Sequence, residues 1–232
     1  MRMRRMMMAA SVADPYWDDV VALLHFDGTD GSTTFTDEKG HTFTASGGAQ
    51  IDDAQSKFWQ SGKFDGSGDY ISTPSDSDWT IDTDCTIELF IRSSGMSKTR
   101  TLISRREHYG SSPASGWHLV TTSTKTVSLT QYLSGGGVGV SIEGGALSLN
   151  TWHHIAVTND SGNWRLFVDG VQVDSDTETG TNGDNSRPLY IGRQEGTSAR
   201  DFEGWIDELR ITKGVARYTS NFAPPSAPFP NS

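Results

Sequence analysis

The sequence predicts an all-β protein, an antiparallel sandwich of two packed sheets, and three observations lead there. Short runs rich in β-branched and aromatic residues recur along the chain, several with clean two-residue alternation. Turn dipeptides separate them, and 25 glycines with 7 tryptophans in 232 residues suit strands and tight turns better than packed helices. No stretch carries a convincing helical period. The chain is long enough to bury a sizeable core unaided, and its one cysteine, Cys85, allows no internal disulfide.

The elements follow in order. Residues 1–15 read as a basic, methionine-rich tail in which Arg2, Arg4 and Arg5 precede a short apolar run. That run imitates a secretion signal but is weaker than one needs to be. "VVALLHF" (Val20–Phe26) is a nearly continuous apolar strand ending at the Asp27-Gly28 turn. "YIST" and "CTIELFIR" come next, the latter with Cys85, Ile87, Leu89 and Ile91 on one face and Thr86, Glu88, Phe90 and Arg92 on the other. Further strands are "RTLISR", "GWHLVTT", "TVSLTQYL" and "GVGVSIE". The clearest unit is "NTWHHIAVTNDSGNWRLFVDGVQVDS", where Ser161-Gly162 and Asp169-Gly170 join three strands as hairpins. "RPLYIGR" and "GWIDELRIT" complete a sandwich assigned to residues 16–212. Ile87, Leu89, Ile155, Val157, Leu166 and Val168 are expected between the sheets. Residues 213–232 form a proline-rich extension that cannot join a sheet, with Phe222 and Phe229 as anchors. It is expected to strap the domain's own surface or to reach a neighbour.

A net charge of −10 makes the body a poor ligand for nucleic acid or anionic membranes, and no apolar run approaches a membrane span.

The motifs "FDGSGDYIS", "CTIELFIR", "TWHHIAVT", "LFVDGVQV", "LYIGR" and "FEGWIDELRI", in that order, resemble laminin-G-like, concanavalin A-like jelly-roll domains from Val20 to Thr212. The opening "DPYWDDVVALLHFDG" and the closing "TKGVARYTSNFAPPSAPFP" are similar to the form of this domain found in tailed-phage virion proteins and their prophage relatives. The resemblance implies a two-sheet jelly roll and a non-catalytic virion surface protein, a capsid decoration or a tail- or fibre-associated domain. Its expected partners are other virion proteins, held through Arg2, Arg4 and Arg5, host-surface glycans, and further copies of itself. The alternative is a carbohydrate-binding module or adhesin of a bacterial or prophage protein.

Catalysis finds little support. Glycanases of this fold resemble one another in a strand that presents paired carboxylates to the scissile bond. Here Glu88 has no partner two residues away, and Asp207 and Glu208, being adjacent, are expected on opposite faces. No nucleophile elbow is present, and Cys85 falls on an inward face. His153 and His154 diverge as strand neighbours, one toward the core and one outward. "DGSGDY" lacks the glycine that a calcium loop of the EF-hand type needs at its sixth position and reads as a turn. Relatives bind a structural calcium where the first and last strands meet at the rim, and the resemblance implies Asp27 and Asp207 as its ligands. Trp152 and Trp164 are expected in the core, whereas Trp59, Trp79 and Trp117, near loops, are the candidates for a sugar platform.

Overall fold

The computed structural model describes residues 13–106, 115–182 and 186–232, so Arg2, Arg4 and Arg5 lie outside the described residues. A single 3-10 turn (Trp17–Asp19) leads into β1 (Val20–Leu24). Four short strands follow, β2 (Thr34–Thr36), β3 (Thr42–Ser46), β4 (Gln50–Asp52) and β5 (Ser61–Asp65), then β6 (Tyr70–Thr73). Longer strands fill the middle: β7 (Cys85–Ser93), β8 (Arg100–Arg106), β9 (Gly116–Thr121), β10 (Val127–Tyr132) and β11 (Val138–Gly144). A meander of β12 (His153–Asp160), β13 (Asn163–Val168) and β14 (Val171–Thr177) precedes β15 (Leu189–Ile191) and β16 (Glu203–Lys213).

These strands form the expected two sheets. The first runs β14-β13-β12-β7-β16-β5-β4, with β1 also paired to β16, and the second runs β11-β10-β9-β8-β15-β6-β3-β2. Strand β16 organises the first sheet. One edge pairs with β7 along nearly its whole length, while the other takes β5 at its start and β1 at its end. "DGSGDY" is a corner that carries the chain from one sheet to the other, with Asp65 accepting from the Ser67 amide (2.7 Å).

Alternation decides which side chains meet between the sheets. Ile87 and Leu89 of β7, Ile155 and Val157 of β12, and Leu166 and Val168 of β13 all join one apolar cluster with Trp79, Trp117 and Trp164. The two hairpins have the geometry their dipeptides demand. Ser161 and Gly162 (φ 53° and 87°) and Asp169 and Gly170 (φ 49° and 76°) are two-residue loops with both residues left-handed, which matches the twist of the strands they join. The short strands β2 to β5 each bring an apolar residue inward, Phe35, Phe43, Ile51 and Phe64. Gly62 in β5 is obligatory, because a Cβ there would lie 2.6 Å from the Phe26 ring.

At one side of the sandwich the edge strands of the two sheets meet. Asp174 of β14 accepts from the Glu143 amide of β11 (2.9 Å), and Asp176 accepts from the Ser141 amide (3.2 Å). Carboxylates thus cap amide groups that an exposed edge would offer to another chain.

Residues 214–232 contain no strand or helix. They cross the outer face of the first sheet, so the extension straps its own domain. Gly170 makes room for it: the Phe222 amide donates to the Gly170 carbonyl (2.9 Å), and a Cβ on Gly170 would lie 2.0 Å from the Phe222 carbonyl oxygen. The strap ends beside the start of the sandwich, where the Asp14 amide donates to the Ser232 carbonyl (2.8 Å).

Candidate functional site

The outer face of the first sheet holds the carboxylate that sequence reasoning considered for catalysis. Glu88 points outward from β7 yet is wholly buried beneath the strap. Its Oε1 accepts from Nε and Nη2 of Arg210 (3.0 and 2.7 Å). Its Oε2 accepts from the Tyr218 hydroxyl (2.8 Å) and lies 3.3 Å from Nε2 of His154. Asp14 completes the cluster by accepting from Arg210 (2.8 Å) and, through both oxygens, from Arg217 (2.9 Å each). Burial alone would raise the Glu88 pKa, but the Arg210 charge and the His154 contact hold it at about 2. Burial likewise opposes ionisation of Asp14 and is outweighed by Arg217. A carboxylate fixed this way is an anion at neutral pH in an ion-pair network, poorly suited to exchanging protons with a substrate. Above the network, Tyr218 stacks on Phe222 (centroids 3.6 Å apart, 6° between planes), and Phe222 packs against His154 and Phe167.

Asp207 and Glu208 depart from expectation. Both face outward on the same side, because β16 carries a bulge. Asp207 pairs with Phe90 and Arg210 with Glu88, so β16 holds one residue more than β7 between these pairs, and Glu208 adopts φ 50°. The extra residue resets alternation: Ile206, Leu209 and Ile211 enter the core, where unbroken alternation would put Glu208 on the face of Ile206. Both carboxylates are nearly inaccessible and already engaged. Glu208 accepts from the Phe229 amide (2.8 Å) and contacts Nδ1 of His25 (2.8 Å).

Asp207 and Asp27, the residues implied as calcium ligands, both turn onto one loop. Oδ2 of Asp207 accepts from the amides of Lys57 and Phe58 (2.8 and 3.2 Å), and Oδ1 of Asp27 accepts from the amide of Gln60 (3.2 Å). Oδ1 of Asp207 is buried without a partner. Burial, then the neighbouring Glu208 charge, pushes the Asp207 pKa up to about 7, and burial also raises that of Asp27. Among the described residues no group of three or more His, Cys, Asp or Glu side chains is arranged to hold a metal ion. One oxygen of each carboxylate is taken by amide donors, and two carboxylates alone fall short of the six to eight oxygens that calcium takes.

The loop pinned in this way carries Trp59. This side chain is 58% exposed, the most exposed large apolar side chain among the described residues. Lys57 lies over the Phe58 and Phe90 rings (5.8 and 5.0 Å), and Phe58 packs edge-on against Phe90 (5.5 Å). The stem of the loop is therefore held by packing and by two carboxylates, and its indole is left to solvent. Trp79 and Trp117, the other candidate platforms, are fully buried, and the Trp117 indole donates to the Trp79 carbonyl (2.9 Å) while that of Trp79 donates to the Pro74 carbonyl (3.0 Å). His154 faces outward beneath the strap, as one of the histidine pair was expected to. His153 binds Asp169 (2.7 Å) and accepts from the Ser148 amide (3.0 Å). Cys85 is buried in the core, and burial pushes its thiol up to about 12.

Sequence reasoning missed the roles of Asp14, Arg217 and Tyr218. The signal lay in "DPYW" and "GVARY", two segments that only the fold brings together.

A family model described as the concanavalin A-like lectin/glucanases superfamily (Laminin_G_3) matches residues 65–217, well over half of the chain. The chain belongs to this superfamily. Solved structures of the same architecture include the binding domain of Paraclostridial Mosquitocidal Protein 1 (18% identity, TM-score 0.68, 87% of this chain and 50% of that one). The botulinum neurotoxin serotype D binding domain aligns at 16% identity (TM-score 0.63, covering 90% and 50%). Domain 4 of AbnA, a GH43 extracellular arabinanase from Geobacillus stearothermophilus solved with arabinotriose, aligns at 18% (TM-score 0.58, covering 84% and 93%). The superfamily member described here spans about half the length of the toxin binding domains. At these identities the likeness is one of fold. No curated protein matches the sequence.

Proposed function

We propose that this chain is a non-catalytic, glycan-binding surface domain of a tailed-phage virion. The observation that carries the binding role is Trp59, a solvent-facing indole on a loop whose backbone is fixed by Asp207 and Asp27. An aromatic face held rigidly pays little entropy on contact and suits the apolar face of a sugar ring. The similarity to an arabinanase domain solved with an oligosaccharide supports the same reading. The non-catalytic reading is supported by Glu88, which is committed to Arg210, Tyr218 and His154 under the strap.

The virion assignment rests on the two segments that resemble phage proteins. They form one physical unit, in which Asp14 holds Arg217 and Tyr16 lies under the Arg217 guanidinium (5.1 Å). Residues 1–15 would then serve as the anchor, with arginine contacts to carboxylates on a shell or fibre subunit.

Titration of the intact chain against a panel of neutral oligosaccharides, followed calorimetrically, tests the binding role. Trp59→Ala should weaken a bound oligosaccharide at least tenfold while leaving the melting temperature unchanged. Absence of any binder, or a variant that binds as the parent does, refutes this site. For the virion role, deletion of residues 1–13 should leave a folded protein that no longer copurifies with particles. Full occupancy of the truncated protein would refute the anchor.

A further inference from the structure

Part of the outer face of the first sheet escapes the strap. The strap ends over Phe90 of β7 and Glu208 of β16, where the Phe229 ring packs on Phe90 (6.4 Å) and its amide donates to Glu208 (2.8 Å). One row further along the same strands the face is open. Register aligns Arg92 of β7, Trp205 of β16, Lys63 of β5 and Gln50 of β4, and all four are partly exposed. Their sequence neighbours Ile91, Ile206, Phe64 and Ile51 enter the core, which turns the row outward. The loop that carries Trp59 borders this row. Asp207, which accepts from the Lys57 and Phe58 amides, stands two residues from Trp205 on β16, a distance of about 7 Å along a strand.

Trp205 lies down on the sheet. Its indole donates to Oδ2 of Asp52 (2.8 Å), a β4 residue two strands away. Two strand spacings are about 10 Å, so the ring leans across β5 to make this bond. A ring held in this way turns a face, not an edge, toward solvent. The Arg92 guanidinium is 5.4 Å from the ring centroid and donates to Oδ1 of Asn150 (3.0 Å). Platform and cation are therefore both positioned before any ligand arrives.

Charges along the row are unevenly matched. Of the carboxylates that these strands turn outward near it, Asp52 serves Trp205 and Lys63 (3.7 Å), and Glu203 is paired with Arg100. Asp65 caps the Ser67 amide at the far corner, and Asp207 is sealed beneath the loop. Arg92 and Lys57 differ, since neither meets a carboxylate among the described residues. Arg92 contacts Asn150 and Trp205, and the Lys57 ammonium lies on the Phe58 and Phe90 rings (5.8 and 5.0 Å). Phe90 and Arg92 share one face of β7 about 7 Å apart, which brings both cations to the β7 side of the row. Arg92 commits one of its five donors to Asn150 and keeps the others for a ligand.

We propose that this row extends the Trp59 site and selects an acidic saccharide, with Trp205 taking a ring face and Arg92 and Lys57 taking its carboxylate or sulfate group. The inference rests on the glycan-binding reading and adds the charge of the ligand to it. A neutral sugar leaves both cations without an anion, and a free anion forgoes the contact with the indole.

Calorimetric titration of the full chain tests this with oligogalacturonate for carboxylate, its methyl ester as the uncharged counterpart, a heparin oligosaccharide for sulfate, and inorganic sulfate. One of the acidic oligosaccharides should bind about tenfold or more tightly than the ester, the scale of one charge-assisted hydrogen bond, and the tighter of the two names the acid. Arg92→Gln should erase that preference and leave affinity for the ester unchanged, while Trp59→Ala weakens acid and ester alike. Equal binding of acid and ester, weakened by Trp59→Ala, overturns this inference and leaves the Trp59 reading standing. Absence of binding, or affinity indifferent to Trp59→Ala, overturns that reading and this inference with it. Inorganic sulfate that competes as well as the oligosaccharide overturns the inference too. Should Arg92→Gln melt early, Lys57→Gln takes its place, and salt gives a second measure: affinity of the parent for the acid must fall from about 50 to about 300 mM sodium chloride while that for the ester holds. A preference indifferent to both overturns the proposal.

Discussion

The two outer faces of this sandwich are built from the same alternating strands and meet opposite fates. On the first sheet, Glu88, Arg210, His154 and Phe90 are sealed beneath residues 214–232, and nearly every charge there has found an opposite charge or a donor. On the second, Arg106 and Arg193 lie on tyrosines that remain partly open. Completion of a polar network stabilises and isolates it. A face's availability is decided here by what the chain lays over it, more than by the strands themselves.

The largest expected effect breaks the sealed face. Arg210→Ala leaves Glu88 and Asp14 buried with fewer positive partners, and loss of one member of such a network costs about 3–5 kcal/mol. Urea denaturation should show it, whereas Arg106→Gln on the open face should change stability far less. Equal losses at the two positions would erase the distinction between them.

Acid titration sharpens the contrast next. Glu88 has a folded pKa of about 2 against an ordinary 4.5, so its contribution is complete above pH 4.5 and is lost as pH falls toward 2. Each pKa unit corresponds to about 1.4 kcal/mol. Melting temperature should decline over that window, and the decline should be shallower in Glu88→Gln. An unchanged slope in the variant would mean that Glu88 is not held as an ion pair.

The smallest effect lies at the boundary of the sealed face. The Asp207 pKa, raised to about 7 from 3.8, makes its ionisation oppose folding as pH climbs between those values. Asp207→Asn keeps an acceptor for Lys57 and Phe58 and should melt higher than the parent at pH 8, with the gain vanishing near pH 4. Because one oxygen of Asp207 and one of Asp27 already serve amides, calcium and EDTA should give superimposable melting curves; a calcium-dependent rise lost in Asp207→Asn would restore the cation site.

Much of this was legible in sequence wherever alternation was long. Strands β7, β12 and β13 and their two left-handed hairpins announced themselves, and all six core residues named from them are buried. Strands β2 to β5 did not, because "TFT", "TFTAS", "QID" and "SGKFD" each carry little apolar content and depend on pairing for their shape. The misplaced face of Glu208 has a different cause: a single bulged residue inverts the pattern for everything before it, and no composition rule marks the position. At the site, exposure separated Trp59 from Trp79 and Trp117, which look alike as loop-adjacent tryptophans. Their burial depends on contacts distant in sequence, such as the Trp117 indole reaching the Trp79 carbonyl.

One hydrogen bond, from the Asp14 amide to the Ser232 carbonyl at 2.8 Å, also fixes how this domain can be mounted. The backbones at Asp14 and Ser232 lie side by side. The sandwich can therefore hang from a single point, like a pendant, and can be spliced into a surface loop of another protein without diverting that protein's path. Joining the two positions through a short linker and reopening the chain at an exposed turn such as Gly135–Gly136 should yield a circular permutant with the same sheets.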